Sequence, residues 1–561
     1  MPTTRSRPTL SSTPALLRLL GVSALLVGGF LRLAYLGQQV VGGDEVHVLK
    51  AMRGASFLDV VSRYHVNDHC IPITAWCWLL QASVGLEEWG MRLWSWLPGL
   101  LLIWWLPWVT RRLFRAEDRV LLTSLLALSP LLVFWSRQAR PYAAIALLGA
   151  YGVFAVHRFA VGHGLRGLVG AAAASFALFA LSPTTAPFLL TLGLCAVLWG
   201  AMKDPTPDSD SNQPAPGARV RTALRALTPQ LLAALLVALT LGPALPSLFE
   251  SQSTREVFST RVHSATLLHT LRLLFGLAQV APGEPLAHLV LPPFMLALWG
   301  AVRLSVRFPA ARIGTLVLLL PPLAYAFSGL HMIGLGVVYL RYEAAVVPVC
   351  LALTVYGFAD LRERVASRFG RLVGSSITAL AFAVIVFSAA SGPLTASLPP
   401  RTPFGLLYSP LFQGEPLSAR LREDQVSELY RVLEESSPTQ VVEWPGASSE
   451  EPLYAFYREF HRAPILRTFP FRSRGPESVP SATRFRSFAW DIERAVERAA
   501  GGAVLVLHKQ PSAEKVQLQK GRVRKRFKQR LPGVETAAAT CRALLGEPFF
   551  EDEWVVAFRK P

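Results

Sequence analysis

Long apolar runs, separated by short turns rich in arginine, set the frame of this sequence. A helix needs about 20 apolar residues to cross a bilayer. Runs near 14–36, 90–109, 119–135, 141–159, 166–182, 184–201, 224–248, 286–304, 312–331, 335–358 and 372–392 therefore predict an all-α polytopic membrane domain of about 11 transmembrane helices. The run 71–84 is apolar but short, and reads as a helix at the interface or dipping partly into the bilayer. From about Pro399 the apolar runs stop. The remaining stretch of about 160 residues is long enough for one soluble domain. In it, Gln425–Glu435 and Leu453–Phe460 have helical periodicity, while Gln440–Trp444, Ala503–His508 and Trp554–Phe558 read as strands. Alternating elements predict a small α/β layer structure. The expected organisation is a membrane domain over 1–396, with a first outer loop at 37–89, followed by a soluble α/β domain over 397–561.

One stretch breaks the apolar pattern. Gly42–Pro72 holds Asp44, Glu45, His47, Lys50, Arg53, Asp59, Arg63, His65, Asp68 and His69 between hydrophobic segments. Ionisable groups beside a bilayer cost free energy unless they line water or a site, so this polar island is where chemistry is expected.

Composition narrows the class. The chain of 561 residues is 52% hydrophobic and only 17% charged, with mean hydropathy +0.37, which excludes an ordinary soluble enzyme. The net charge of +19 does not point to nucleic acid, because the arginines cluster in short turns between spans. With the N-terminus cytoplasmic, the basic turns 111–119, 157–166, 203–225, 303–312 and 362–371 all fall inside. The polar island, the Arg137–Arg140 turn, Arg341 and the tail then fall outside. The expected location is the inner (plasma) membrane, with an extracytoplasmic C-terminal domain. The five cysteines, at 70, 77, 195, 350 and 541, show no metal spacing, although Cys70 and Cys77 are close enough in sequence to invite a bridge.

Asp44 and Glu45 follow a Gly-Gly pair and precede an amphipathic stretch. One acid there suits a helix N-cap. Two acids just outside the bilayer also suit a general base or a divalent-cation site, and no further carboxylates at ligand spacing insist on the metal. Asp68-His69 ends the island, either as an ordinary loop before a helix or as a place to orient an acid or bond a sugar. Arg137 and Arg140 stand three apart, on one face if their turn is helical, and on the side where the charge rule does not want them. They either snorkel to the headgroups or hold a phosphate through paired, charge-assisted hydrogen bonds. Arg341, flanked by Tyr339 and Tyr342, repeats the choice as belt anchor or third phosphate ligand. Three outer arginines with a carboxylate-rich loop fit an anionic lipid leaving group best.

At these residues the chain resembles the polyprenyl-phosphate-dependent membrane glycosyltransferases of the C-type (GT-C) fold. That group includes glycosyltransferase family 39, the protein O-mannosyltransferases and the lipid A aminoarabinose transferase. The resemblance rests on Asp44-Glu45 in the first outer loop and on Asp68-His69-Cys70-Ile71-Pro72-Ile73, which lacks the second proline of the usual element. It rests further on Arg92-Leu93-Trp94-Ser95, on Ser129-Pro130 with Ser136-Arg137-Gln138-Ala139-Arg140-Pro141-Tyr142, and on Arg341-Tyr342 with Pro348. It implies an inverting sugar transfer from a polyprenyl-phosphate-linked donor to a glycan, lipid or protein acceptor. Asp44 would be the base with Glu45 beside it, Arg137, Arg140 and Arg341 would meet the carrier phosphate, and Asp68, His69, Tyr142 and Tyr342 would contact substrate. No cofactor is required by the pattern; a divalent metal at Asp44 and Glu45 stays open. The alternatives are a transporter or flippase of lipid-linked sugars, and a membrane-anchored assembly or sensor protein acting through its tail.

Overall fold

A computed structural model describes residues 14–34, 36, 39–40, 45–52, 55–65, 69–160, 164–202, 218–250, 291–308, 320, 344–390, 407–408, 416–420, 427–436, 438–444, 492–509, 534–552 and 555–561. The chain divides into two units. The first is Met1–Leu36 with His47–Ser397; the second is Gly37–Val46 with Leu398–Pro561.

The first unit is helical. Its main elements are α1 (Pro14–Leu33), α2 (Ile71–Ser83), α3 (Leu93–Val109), α4 (Ala116–Leu128), α5 (Pro130–Trp135), α6 (Tyr142–Ala160), α7 (Gly164–Leu181) and α8 (Ala186–Met202). They continue with α9 (Thr228–Leu241), α10 (Leu291–Arg307), α11 (Val347–Phe369) and α12 (Arg371–Ala390). Among the described residues, four helices are long and apolar enough to cross a membrane: Ala15–Leu33, Tyr142–Phe159, Gly164–Leu181 and Thr228–Leu248. Leu93–Val109, Pro183–Trp199 and Leu372–Ile385 are shorter apolar helices. The run expected at 119–135 is two helices, because Ser129 is non-helical and Pro130 has no N–H to continue the ladder. The run 312–331, the start of 335–358 and the helix expected at Leu453–Phe460 lie outside the described residues.

The outward faces are oily. On α1, Leu19, Val22, Leu26 and Phe30 are exposed at helical spacing, Leu26 at 69%, while Ala24, Leu31 and Arg32 are buried. In water such a stripe is a liability; against lipid it is the expected surface. Trp94 and Trp108, both exposed, mark the two ends of α3, as in an interfacial aromatic belt. Inside, helices approach backbone to backbone. A Cβ at Gly300 of α10 would overlap the Leu353 carbonyl oxygen, and one at Gly357 of α11 would overlap that of Leu296. Only glycine permits that contact.

Ion pairs join the turns that the charge pattern assigns to one side. Arg115 meets Glu363 at 2.9 Å, and Arg362 Nη1 lies 2.9 Å from the buried Asp118. Asp360 accepts from Trp299 Nε1 at 2.9 Å, Arg364 Nε at 2.8 Å and Arg303 Nε at 3.2 Å. Residues near 111–119, 303 and 362–364 therefore share one end of the helices, in agreement with the alternation of basic turns.

The second unit carries two sheets. In the three-stranded one, β1 (Gln39–Val40) pairs antiparallel with β3 (Pro416–Arg420), which pairs antiparallel with β2 (Leu407–Tyr408). The four-stranded sheet has the order β4 (Val441–Trp444), β5 (Val504–His508), β7 (Val555–Arg559), β6 (Phe550–Glu551). Among the described residues of this sheet, β4–β5 pair parallel and the other pairings are antiparallel. Val504, Leu505, Val506 and Leu507 are all inaccessible, so β5 is covered on both faces. Its core joins Val442, Leu505, Leu507, Val556 and Phe558 to helix residues Ile492, Val496, Ala537, Ala538 and Cys541. The strands expected at 440–444, 503–508 and 554–558 and the helix expected at 425–435, seen as Leu429–Ser436, are all present.

Candidate functional site

The best-defined cluster lies where α5 gives way to α6. Helix α5 stops at Trp135, and Pro141 allows no simple continuation. Residues 136–141 form turns and bends closed by Arg137 N–H to Phe134 O at 2.9 Å and Arg140 N–H to Gln138 O at 2.6 Å. Arg137 and Arg140 are therefore not one helical face, as the sequence spacing suggested. Both are nonetheless enclosed, each only 4% exposed, with Ser136 and Ala139 fully buried. Two guanidiniums held this deep are not snorkelling. A buried charge is tolerated only with partners that meet its donors.

Neighbouring helices build that enclosure. Arg137 Nη1 donates to the Leu31 carbonyl at 2.9 Å. The Ser95 hydroxyl donates to the Arg140 carbonyl at 2.8 Å. Gly99 lets α3 come close, because a Cβ there would overlap Ser136 Oγ. Tyr142 opens α6, is 9% exposed, and sets its ring 6.0 Å from that of Trp135.

Two further arginines are buried at this end: Arg32, which sequence reasoning missed, and Arg92, which entered it only within the Arg92-Leu93-Trp94-Ser95 motif. Arg32 donates from Nη1 to the carbonyls of Gly28 and Ala127 and from Nη2 to that of Leu126, each at 2.9 Å. Arg92 donates from Nη1 to the Leu36 carbonyl at 2.9 Å. Both are fully buried. The signal was available: under the alternation of basic turns each would fall on the side where the positive-inside rule disfavours arginine, the same test that singled out Arg137 and Arg140.

The polar island resolves into parts. Asp59, Ser56 and Arg63 serve local structure: Ser56 and Asp59 form a reciprocal capping box on the helix Phe57–Ser62, and Arg63 pairs with Asp59 at 2.7 Å. The Ser56 hydroxyl and main-chain N–H, with Arg63, hold the Asp59 carboxyl below its ordinary range. His69 is half-buried before α2, its ring 6.4 Å from that of Tyr64. Cys70 caps α2 and Cys77 follows two turns later, a rise of about 10 Å that no disulfide spans.

Glu45 is 2% exposed and precedes the helix Val46–Met52. Asp44, Asp68, Arg341 and Tyr342 lie outside the described residues. The structure brings together Arg137, Arg140 and Tyr142. Glu45 falls in the second unit and His69 in the first. Among the described residues no group of three or more His, Cys, Asp or Glu could hold a metal ion.

No protein-family model matches the chain, and no curated protein sequence matches it. Among solved structures, its fold is similar to the crystal structure of ArnT from Cupriavidus metallidurans bound to undecaprenyl phosphate. The two are 14% identical, with 98% of each chain covered and a TM-score of 0.51. The chain has the C-type glycosyltransferase fold. ArnT from the same organism in the apo state is also similar, at 13% identity, 98% of each chain and a TM-score of 0.49. So is the oligosaccharyltransferase AglB from Archaeoglobus fulgidus, in complex with an inhibitory peptide and a dolichol-phosphate. Its identity is 14%, with 90% of this chain and 70% of that one covered and a TM-score of 0.46. The ArnT-like fold spans the tail as well as the membrane helices, whereas the motifs of the sequence reach only from about 14 to 392.

Proposed function

We propose that this chain is an integral-membrane glycosyltransferase that moves a sugar from a polyprenyl-phosphate-linked donor to an acceptor at the outer face of the membrane. One observation carries the reading: Arg137 and Arg140, in the Ser-x-x-Ala-Arg-x-Tyr motif, are buried at the end of a lipid-facing helical domain of C-type fold. Guanidiniums held there suit a phosphate, and ArnT, whose fold this chain shares, has been solved with undecaprenyl phosphate bound.

In the proposed reaction an acceptor hydroxyl or amine attacks the anomeric carbon. The new bond to the acceptor forms as the bond between that carbon and the phosphate oxygen breaks, with inversion. Asp44 takes the acceptor proton, and the electron pair of the broken bond leaves on the polyprenyl phosphate. Arg137, Arg140 and Arg341 meet the charge that develops on the leaving oxygen. Glu45, Asp68, His69, Tyr142 and Tyr342 contact the sugar or orient the base. Asp44 and Glu45 are the residues that would hold a divalent cation, which would lower the pKa of an acceptor hydroxyl bound to it; among the described residues no group of three or more His, Cys, Asp or Glu stands ready for one. The N-terminus is assigned to the cytoplasm of a cell with this chain in its inner membrane, and the tail to the outside.

Purified protein in lipid, given a panel of labelled polyprenyl-phosphate sugars and acceptor extract, tests the reading. Transfer of label with release of free polyprenyl phosphate supports it. Donor binding without release from any member of the panel favours a transporter of lipid-linked sugars.

A further inference from the structure

The far end of α3 carries an aromatic and cationic feature that sugar transfer does not use. Trp94, Leu97, Leu101, Trp104 and Trp108 are exposed at alternating spacings of three and four, so α3 turns one continuous apolar stripe outward. The last two rings are stacked, with centroids 6.0 Å apart and planes 12° from parallel. Beyond them the chain turns at Thr110 into Arg111 and Arg112, both exposed. The Arg111 guanidinium lies over the Trp108 ring, 4.5 Å from its centroid, and its Nη1 donates to the Trp108 carbonyl at 3.1 Å.

The acids at this end of the helices are already engaged. Glu363 faces Arg115, Asp118 and Glu117 face Arg362, and Asp360 meets Arg303 and Arg364. Among the described residues no carboxylate pairs with Arg111 or Arg112. The stacked ring and the carbonyl fix Arg111 in place and leave its other N–H donors for an anion. A guanidinium is weakly hydrated and matches phosphate oxygens in pairs. Fixed guanidiniums at the rim of an apolar stripe therefore suit a ligand with a phosphate at one end and a hydrocarbon chain behind it.

We infer that the end of α3 is a binding site for an anionic phospholipid of the surrounding bilayer. Its phosphate and headgroup meet Arg111 and Arg112, and an acyl chain runs along Trp108, Trp104 and Leu101. Charge selects the lipid: a zwitterionic headgroup brings its own cation to a place where no acid is left to meet it. The site is separate from the Arg137–Arg140 turn. Ser95, which bonds the Arg140 carbonyl, and Trp108 stand at opposite ends of α3, a rise of about 20 Å.

The test uses the full chain in phosphatidylcholine vesicles that carry a trace of phosphatidylglycerol with a photoactivatable group in its acyl chain. The expected result is cross-linking to the peptide that holds Leu101–Trp108, in excess of that from photoactivatable phosphatidylcholine at the same fraction. Arg111→Gln and Arg112→Gln are each expected to lower the anionic excess about fivefold, the worth of one arginine near an anionic lipid surface. Arg111→Lys keeps the charge but not the stacked fork, and is expected to fall between. Arg307→Gln/Arg368→Gln removes as much charge as Arg111→Gln/Arg112→Gln, from α10 and α11 instead, and is expected to leave the label on α3 unchanged.

Equal labelling by the two lipids overturns the inference. An equal loss in the charge-matched variant also overturns it, because the preference is then a diffuse field and not a site. Absence of label from either lipid overturns it too, since another protein surface then covers the stripe. No readout here needs turnover, so the lipid site and the transferase reading fail separately.

Discussion

Arg137 donates from Nη1 to the main-chain carbonyl of Leu31, 2.9 Å away and 106 positions earlier in the chain. The next residue of α1 returns the favour. Arg32 donates to the carbonyls of Leu126 and Ala127, at the end of α4. Pro130 has no N–H and cannot serve the carbonyl four residues before it, which is that of Leu126. Arg32 fills the gap. The break that separates α4 from α5, and so sets up the Arg137–Arg140 turn, is stabilised by an arginine from another helix.

Removing Arg32 should therefore expose a cost. In Arg32→Met the Leu126 and Ala127 carbonyls lose these donors in an enclosed site, at about 1–3 kcal/mol for each buried unsatisfied group. A fall of about 2–5 kcal/mol in unfolding free energy in detergent is expected. Arg32→Lys should recover part of it, since one ammonium matches the geometry of three carbonyls poorly. Unchanged stability in Arg32→Met would contradict this role.

Arg137 and Arg140 should differ from Arg32 in what they disturb. Arg137→Gln and Arg140→Gln are each expected to weaken polyprenyl-phosphate binding by about 10-fold or more, the worth of a charge-assisted hydrogen bond of roughly 1.5–3 kcal/mol. Arg137→Gln should also lower stability through the lost bond to Leu31. Titration of each purified variant with polyprenyl phosphate, beside its melting curve, checks both.

Asp118 and Arg362 are a buried pair, 2% and 6% exposed, with Nη1–Oδ1 at 2.9 Å and Nη2 at 3.3 Å from Oδ2. Arg362→Met leaves the buried Asp118 charge uncompensated and should cost about 3–5 kcal/mol, whereas in Asp118→Ala Arg362 keeps Glu117, 3.3 Å from Nη2, and the loss should be smaller. Asp118→Leu with Arg362→Met should restore much of that loss, because both charges go together. A double-mutant cycle in the same denaturant reads the coupling directly.

Cys541 is fully buried, and burial pushes its thiol from the ordinary value of 9.0 up to about 12. The reactive thiolate is therefore scarce at neutral pH, and maleimide at pH 7.5 should label Cys541 only after denaturation. The sign of the stability effect follows. Below pH 9 both states keep the proton and the group is silent. Between 9 and about 12 the unfolded chain loses it first, so the stability of the tail falls as pH rises. Mass spectrometry of labelled peptides and melting curves across that range test both.

The apolar helices and the tail strands were legible because apolar length and β-rich runs are local signals. The break at Ser129-Pro130 was legible as composition, but not as the two helices it makes. The enclosure of Arg137 and Arg140 draws on the Leu31 carbonyl of α1 and the Ser95 hydroxyl of α3, contacts that spacing does not encode. Spacing suggested a shared helical face, and the turn closed by Pro141 prevents it. The β1–β3 pairing was invisible for a related reason: two residues such as Gln39 and Val40 carry no periodicity, and their partner lies at the other end of the sequence. Asp59 and Arg63 raised the apparent density of chemistry in the polar island, yet they cap and brace a short helix.

The most direct measurement is turnover of a labelled polyprenyl-phosphate sugar by the purified chain in lipid, wild type beside Asp44→Asn. The transferase reading predicts release of free polyprenyl phosphate by wild type. It predicts a loss of about 10²- to 10⁴-fold in Asp44→Asn, with donor affinity retained, as for removal of a general base. Tight donor binding that needs Arg137 and Arg140, with no release of polyprenyl phosphate by wild type, would contradict it.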